Sequence, residues 1–136
     1  MHEEKNSRVQ ELIDKAIEAR KQTYSPYSRY GVGAAVLTRS GKIYTGCNVE
    51  NAVYPLSICA ERVAVFKAVS SGESEIVAVA VVTENGGSPC GSCRQVLREF
   101  GQEIKVYIAN TEGQYSQTTV AELLPRSFSK KDIEHL

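Results

Sequence analysis

The sequence predicts an α/β protein, a three-layer α/β/α sandwich built on a central mixed five-stranded sheet. Three observations carry the prediction. Residues 76–83, Ile-Val-Ala-Val-Ala-Val-Val-Thr, are almost continuously apolar, which is the pattern of a central strand covered on both faces. Helical patterns precede and follow that run, so strands and helices alternate. Two further strand-like stretches flank Ser40-Gly41-Lys42, a turn sequence that joins them into a hairpin.

Taken in order, residues 1–7 are a polar extension. Residues 8–24 place Val9, Leu12, Ile13, Ala16, Ile17 and Ala19 at the spacing of an amphipathic helix, which Ser25 and Pro26 end. Residues 32–37 form a buried strand and 43–49 its antiparallel partner. A loop over 50–57 leads into a helix at 59–71, with Val63, Val65, Phe66 and Val69 as its packing face and Gly72 as its stop. The central strand follows, then a Gly-rich loop at 84–89. A helix over 90–100 points Val96 and Leu97 inward, and another strand runs from 104 to 109. Asn110-Thr111-Glu112-Gly113 turns into a last weak strand, followed by short helices at about 119–124 and 129–135. With 136 residues the chain forms one domain, 1–136, able to bury about two thirds of its unfolded surface.

Composition narrows the function. Sixteen basic and sixteen acidic residues cancel, and no basic block interrupts them, so the charge footprint of a nucleic-acid binder is missing. The partners expected are small molecules. The first residues lack the apolar core of a signal peptide, and no run approaches the ~20 apolar residues of a spanning helix. The expected location is cytoplasmic, with no membrane contact, where four cysteines are better explained by metal or catalysis than by disulfides. His2 and His135 sit at the two ends, which removes histidine-based triads and His-Glu-x-x-His zinc sites from consideration.

The chemistry concentrates in Cys59-Ala60-Glu61-Arg62 and Pro89-Cys90-Gly91-Ser92-Cys93. Cys90 and Cys93 can hold one ion from a single turn, and Cys59 supplies a third sulfur. Three protein ligands with the fourth position left to water are the pattern of a catalytic zinc. Glu61 then remains free for proton transfer. Three thiolates weaken zinc as a Lewis acid, so the charge needs an offset. Arg62, one helical turn from Cys59, and Arg94, beside Cys93, are placed for it. Competing readings are a structural zinc knot with Cys47 as fourth ligand, or reduced core thiols, with Cys47 itself a buried thiol. Likewise Glu61 suits any helix first turn, Arg62 suits a surface, Asn48 and Glu50 suit a turn, and Tyr30, Tyr54 and Phe128 suit a core.

The Cys-Ala-Glu and Pro-Cys-x-x-Cys pair, with Asn48-Val49-Glu50-Asn51-Ala52 before it and Leu123-Leu124-Pro125 after it, closely resembles the small homotetrameric zinc-dependent cytidine deaminases. The resemblance, within the cytidine and deoxycytidylate deaminase superfamily, covers about residues 8–132. It implies one Zn2+ per subunit on Cys59, Cys90 and Cys93, and hydrolysis of cytidine and 2'-deoxycytidine to uridine, 2'-deoxyuridine and ammonia in pyrimidine salvage. Metal-activated water attacks C4 in that chemistry, and Glu61 shuttles the protons. The resemblance also assigns Asn48 and Glu50 to the ribose 3'-hydroxyl, the Ala60 amide to the pyrimidine carbonyl, and the backbone around Ser88 to the leaving group. Tyr54 and Phe128 match positions that reach the nucleoside, partly from neighbouring subunits, so a homotetramer with shared sites is implied. Tyr30 stands where the family usually carries Phe. Two alternatives remain beside it: a deaminase of the same chemistry acting on a nucleoside antibiotic such as blasticidin S, or on cytosine in single-stranded nucleic acid, and a non-enzymatic zinc-stabilised module.

Overall fold

The computed structural model describes residues 2–134; Met1, His135 and Leu136 lie outside them. Its elements are α1 (His2–Arg20), β1 (Gly33–Thr38), β2 (Ile43–Cys47), a 3-10 turn (Tyr54–Leu56), α2 (Ala60–Ser70), β3 (Ile76–Thr83), α3 (Gly91–Phe100), β4 (Lys105–Asn110), β5 (Tyr115–Thr119), α4 (Val120–Leu123) and α5 (Lys130–Glu134). The sheet order is β2-β1-β3-β4-β5. Among neighbouring strands only β3 and β4 pair in parallel, because the crossover through α3 returns the chain to the same end; α2 does the same between β2 and β3, but β1 lies between those two strands.

The apolar run at 76–83 is the middle strand, buried throughout except at Val77. One face packs on α1 through Leu12, Ile13 and Ala16. The other packs on α2, α3 and α4 through Ala64, Val65, Ala68, Leu97 and Val120. These faces make the three layers expected.

Two expectations need correction. The first helix starts at His2, inside the stretch read as a polar extension, and stops at Arg20, before Thr23 and Tyr24. A Tyr24–Val49 bridge takes over the backbone there. The packing face of α2 is also different: Ala60, Ala64, Val65 and Ala68 are buried, whereas Phe66 and Val69 face outward. The cause lies in β2. A Cβ at Gly46 would stand 2.6 Å from the Ala60 carbonyl oxygen and 2.7 Å from the Ala64 nitrogen. Backbone meets backbone across this contact, and only small side chains fit on the facing stripe.

The loop after α2 is fastened to the β1–β2 hairpin by one carboxylate. Thr38 Oγ1 donates to Glu73 at 2.9 Å, and the Ser40 and Tyr44 hydroxyls donate to the same side chain. Those donors, Ser40 foremost, hold the Glu73 carboxyl below its usual range. A depressed folded-state pKa contributes stability that is present above the unfolded carboxylate value and fades as pH falls through the folded one. Glu73→Gln is therefore expected to lower Tm at neutral pH and to converge with wild type in acid, so that the acid limb of a Tm-against-pH curve flattens below pH ~5. An unchanged acid limb in calorimetry refutes it.

Candidate metal centre and substrate cavity

Residues 48–50 thread between two other segments and bring the site together. Tyr24 N donates to the Asn48 carbonyl at 3.1 Å, and Glu50 N to the Tyr24 carbonyl at 2.8 Å. On the other side Val49 and Ile58 exchange backbone bonds of 3.0 and 2.9 Å. Cys59 thus follows directly from a segment pinned beside Asn48 and Glu50.

Cys59 is the N-cap of α2 and Cys90 the N-cap of α3; Cys93 lies in the first turn of α3. Two helix N-termini therefore point at one place, each favouring negative charge. The sulfurs of Cys59, Cys90 and Cys93 all lie within 4.8 Å of one another. Cys59 to Cys90 is 3.8 Å and Cys90 to Cys93 is 3.4 Å. Tetrahedral zinc with bonds of about 2.3 Å requires sulfurs about 3.8 Å apart. The trio fits that ion. Cys47 stands outside the cluster and is half-buried rather than the buried thiol expected, so a four-sulfur knot is not formed.

The electrostatics agree with the donor set. The Cys59 thiol is brought down to about 5 by hydrogen bonding from Cys93 and then from Arg62, while Cys93 is pushed up by the reciprocal bond and by burial. Arg62 Nη2 donates to the Cys59 sulfur at 3.6 Å. Arg62 Nε is buried without a hydrogen-bond partner among the described residues. A lone buried guanidinium donor suits a cluster that stays negative with its metal, since three thiolates outweigh a divalent cation. Arg62→Gln should lower zinc affinity about 10- to 100-fold by metal-competition titration, and an unchanged affinity would refute the role. Arg94 does not share it. Its guanidinium donates to the Pro89 carbonyl at 2.8 Å, Ser88 Oγ at 2.9 Å and the Leu123 carbonyl at 2.8 Å, fixing the loop before Cys90.

Glu61, in the first turn of α2, is 4 % exposed. Burial raises its carboxyl above the usual range, and the charge on Cys59 adds to that. It lines a cavity of about 470 Å³ together with Cys59, Cys90, Arg62, Asn48, Glu50, Tyr30, Tyr54 and Ser88. Ala60 is buried at the helix start, where first-turn amides lack intrahelical partners. Tyr30, Tyr54 and Phe128 are 40, 62 and 59 % exposed, so none is a core aromatic. Phe128 does not line the cavity within one chain; Gln95 Nε2 holds its carbonyl at 2.9 Å.

Asn48 and Glu50 are buried polar residues with much of their bonding capacity in use. Asn48 Oδ1 accepts from Val32 N at 2.9 Å and from Thr23, and Nδ2 donates to the Tyr30 carbonyl at 2.8 Å. Glu50 Oε1 accepts from the Tyr27 and Ser28 amides, both at 3.0 Å, and Oε2 from the Ser28 hydroxyl. These donors, the Ser28 hydroxyl first, keep the Glu50 carboxyl low and ionised. The sequence reading missed Ser28, Thr83 and Gly87, which also line the cavity. Ser28 was detectable in principle, as a hydroxyl within two positions of Tyr30 in a loop already singled out.

A trio of clustered thiols, a buried carboxyl beside it and an open cavity with a few polar side chains in a largely apolar lining, on an α/β/α scaffold, fit a zinc-dependent hydrolytic enzyme. Residues 6–110 match the family described as "Cytidine and deoxycytidylate deaminase zinc-binding region". The chain is 50% identical over 130 residues to a cytidine deaminase of Sporosarcina psychrophila, covering 93% of this chain and 96% of that one. It is 40% identical over 125 residues to one from Mycobacterium tuberculosis, covering 90% of each. A crystal structure of cytidine deaminase from Burkholderia pseudomallei superposes with a TM-score of 0.83 at 46% identity, covering 87% of this chain and 97% of that one. The chain belongs to the cytidine and deoxycytidylate deaminase family.

Proposed function

We propose that this enzyme hydrolytically deaminates cytidine and 2'-deoxycytidine at C4, in pyrimidine salvage in the cytoplasm, with all of 1–136 acting as one domain. The observation that carries the reading is the buried Glu61 beside the three-sulfur cluster, lining one cavity with Asn48 and Glu50. Zinc, when bound, supplies a Lewis acid that makes water nucleophilic near neutral pH. Glu61 takes the proton that water gives up, delivers one to pyrimidine N3 and assists the departing amine. The Ala60 amide orients the pyrimidine carbonyl, and Ser88 with the adjoining backbone borders the leaving group.

Asn48 and Glu50 bind the ribose 3'-hydroxyl. Their backbone partners hold both groups in place before substrate arrives, which lowers the ordering cost of binding. A free base would forgo both contacts to the sugar, which favours the nucleoside. Cytidine is therefore expected to lose its cytosine absorbance with release of ammonia, and free cytosine to react far more slowly. Glu50→Gln should raise KM for cytidine about 10- to 100-fold, the worth of a hydrogen bond to a charged acceptor. Equal turnover of base and nucleoside overturns the ribose assignment; no turnover of either overturns the substrate.

The active assembly is a homotetramer in which Tyr54 and Phe128 complete neighbouring sites. Val53, Tyr54, Leu56, Phe66 and Val69 support this, as exposed apolar groups on the turn before α2 and on α2 itself. A monomeric mass in sedimentation equilibrium refutes it.

A further inference from the structure

We propose that Tyr30 is a positioning residue whose hydroxyl clamps the 84–89 loop leading into Cys90, and that Gly87 exists as glycine to admit that hydroxyl. The inference rests on the nucleoside reading of the cavity for its catalytic consequence. Its geometry stands separately.

The loop joins β3 to α3 through two adjacent glycines, Gly86 at φ +76 and Gly87. Glycine pairs are costly to hold in one conformation. This loop must be held, because it sets Ser88 at the cavity and Cys90 at the metal. Two of its fastenings are local: Gly87 N donates to Thr83 Oγ1 at 2.6 Å, and Thr83 Oγ1 donates to Asn85 Oδ1 at 3.2 Å. The third comes from a distant segment, where the Tyr30 hydroxyl donates to Asn85 Oδ1 at 2.7 Å.

Tyr30 is itself anchored. Its amide donates to Ser28 Oγ at 3.0 Å, and its carbonyl accepts from Asn48 Nδ2. The side chain thus links the wall that carries Asn48 and Glu50 to the wall that carries Ser88 and Cys90. Room for it comes from residue 87, where an added Cβ would stand 2.5 Å from the Tyr30 hydroxyl oxygen. A Cβ at 87 would force the hydroxyl to shift, which strains or breaks its bond to Asn85. Phenylalanine at 30 would keep the ring and drop the bond to Asn85.

The test uses zinc-loaded protein in four forms: wild type, Tyr30→Phe, Gly87→Ala and the double variant. It reads kcat and KM for cytidine, and hydrogen exchange of the 84–88 amides without substrate. Tyr30→Phe should lower kcat about 3- to 10-fold, the worth of one hydroxyl–amide hydrogen bond, and speed loop exchange by a similar factor. Gly87→Ala should do at least as much. The double variant should be no worse than the poorer single, because the Cβ no longer meets an oxygen. Losses that multiply, or a Tyr30→Phe enzyme with raised KM and unchanged loop exchange, overturn the clamp. Wild type inert toward cytidine sinks the nucleoside reading alone, since the exchange measurement still judges the loop.

Discussion

Glu61→Gln is expected to cut turnover of cytidine by about a thousandfold or more while the protein keeps its zinc. General acid–base groups contribute about 10²- to 10⁴-fold for one transfer, and Glu61 is asked to serve at the water, at N3 and at the amine. Glutamine preserves the shape and the hydrogen-bonding reach but cannot pass a proton. The side chain is not among the three clustered donors, so metal content measured by atomic emission should match the wild type. Thermal stability should not suffer, because the substitution removes a buried carboxyl whose ionised form burial already disfavours. Loss of turnover together with loss of zinc would make Glu61 a structural support for the cluster. Turnover within a few-fold of wild type would remove it from the proton path altogether.

The parts of the site legible in the sequence are those whose chemistry imposes its own spacing. Cys90-x-x-Cys93 and Cys59-x-Glu61 announce themselves because a metal needs several sulfurs at one point and a proton shuttle must stand beside it. The sheet was equally legible: a strand buried on both faces must be apolar at every position, and 76–83 nearly is. What failed depends on pairings the sequence does not mark. Phe66 and Val69 read as part of the packing face of the helix, but close approach of Gly46 to α2 turned the alanine stripe inward. Arg94 read as a charge near sulfur, yet its three acceptors include Leu123, twenty-nine positions away. Asn48 and Glu50 were found, but their partners at 23–32 became visible only once the Tyr24–Val49 bridge brought that loop alongside. Phe128 is a different case: the resemblance placed it partly in a neighbouring subunit's site, and it does not line the cavity of its own chain.

The same close approach yields the second large effect. Gly46→Ala puts a methyl 2.6 Å from the Ala60 carbonyl oxygen, 2.7 Å from the Ala64 nitrogen and 2.9 Å from Val63 Cβ. Two of those atoms are helix backbone, so no rotamer relieves the contact; α2 as a whole must lift or β2 must shift. Overpacking of this kind costs about 3 kcal/mol, a Tm loss of about 10 °C for a chain this size. Gly33→Ala supplies the comparison. Its Cβ would lie 2.0 Å from the Ala16 carbonyl oxygen, so it is at least as destabilising, but it acts on α1 at the opposite face of the sheet. Only α2 carries Cys59 at its N-cap and Glu61 in its first turn. Below the melting range, Gly46→Ala should therefore lose zinc affinity and kcat together, whereas folded Gly33→Ala should keep both near wild type. Equal zinc affinity in the two variants would mean that the cluster tolerates movement of α2, and that Cys90 and Cys93 alone set the metal's position.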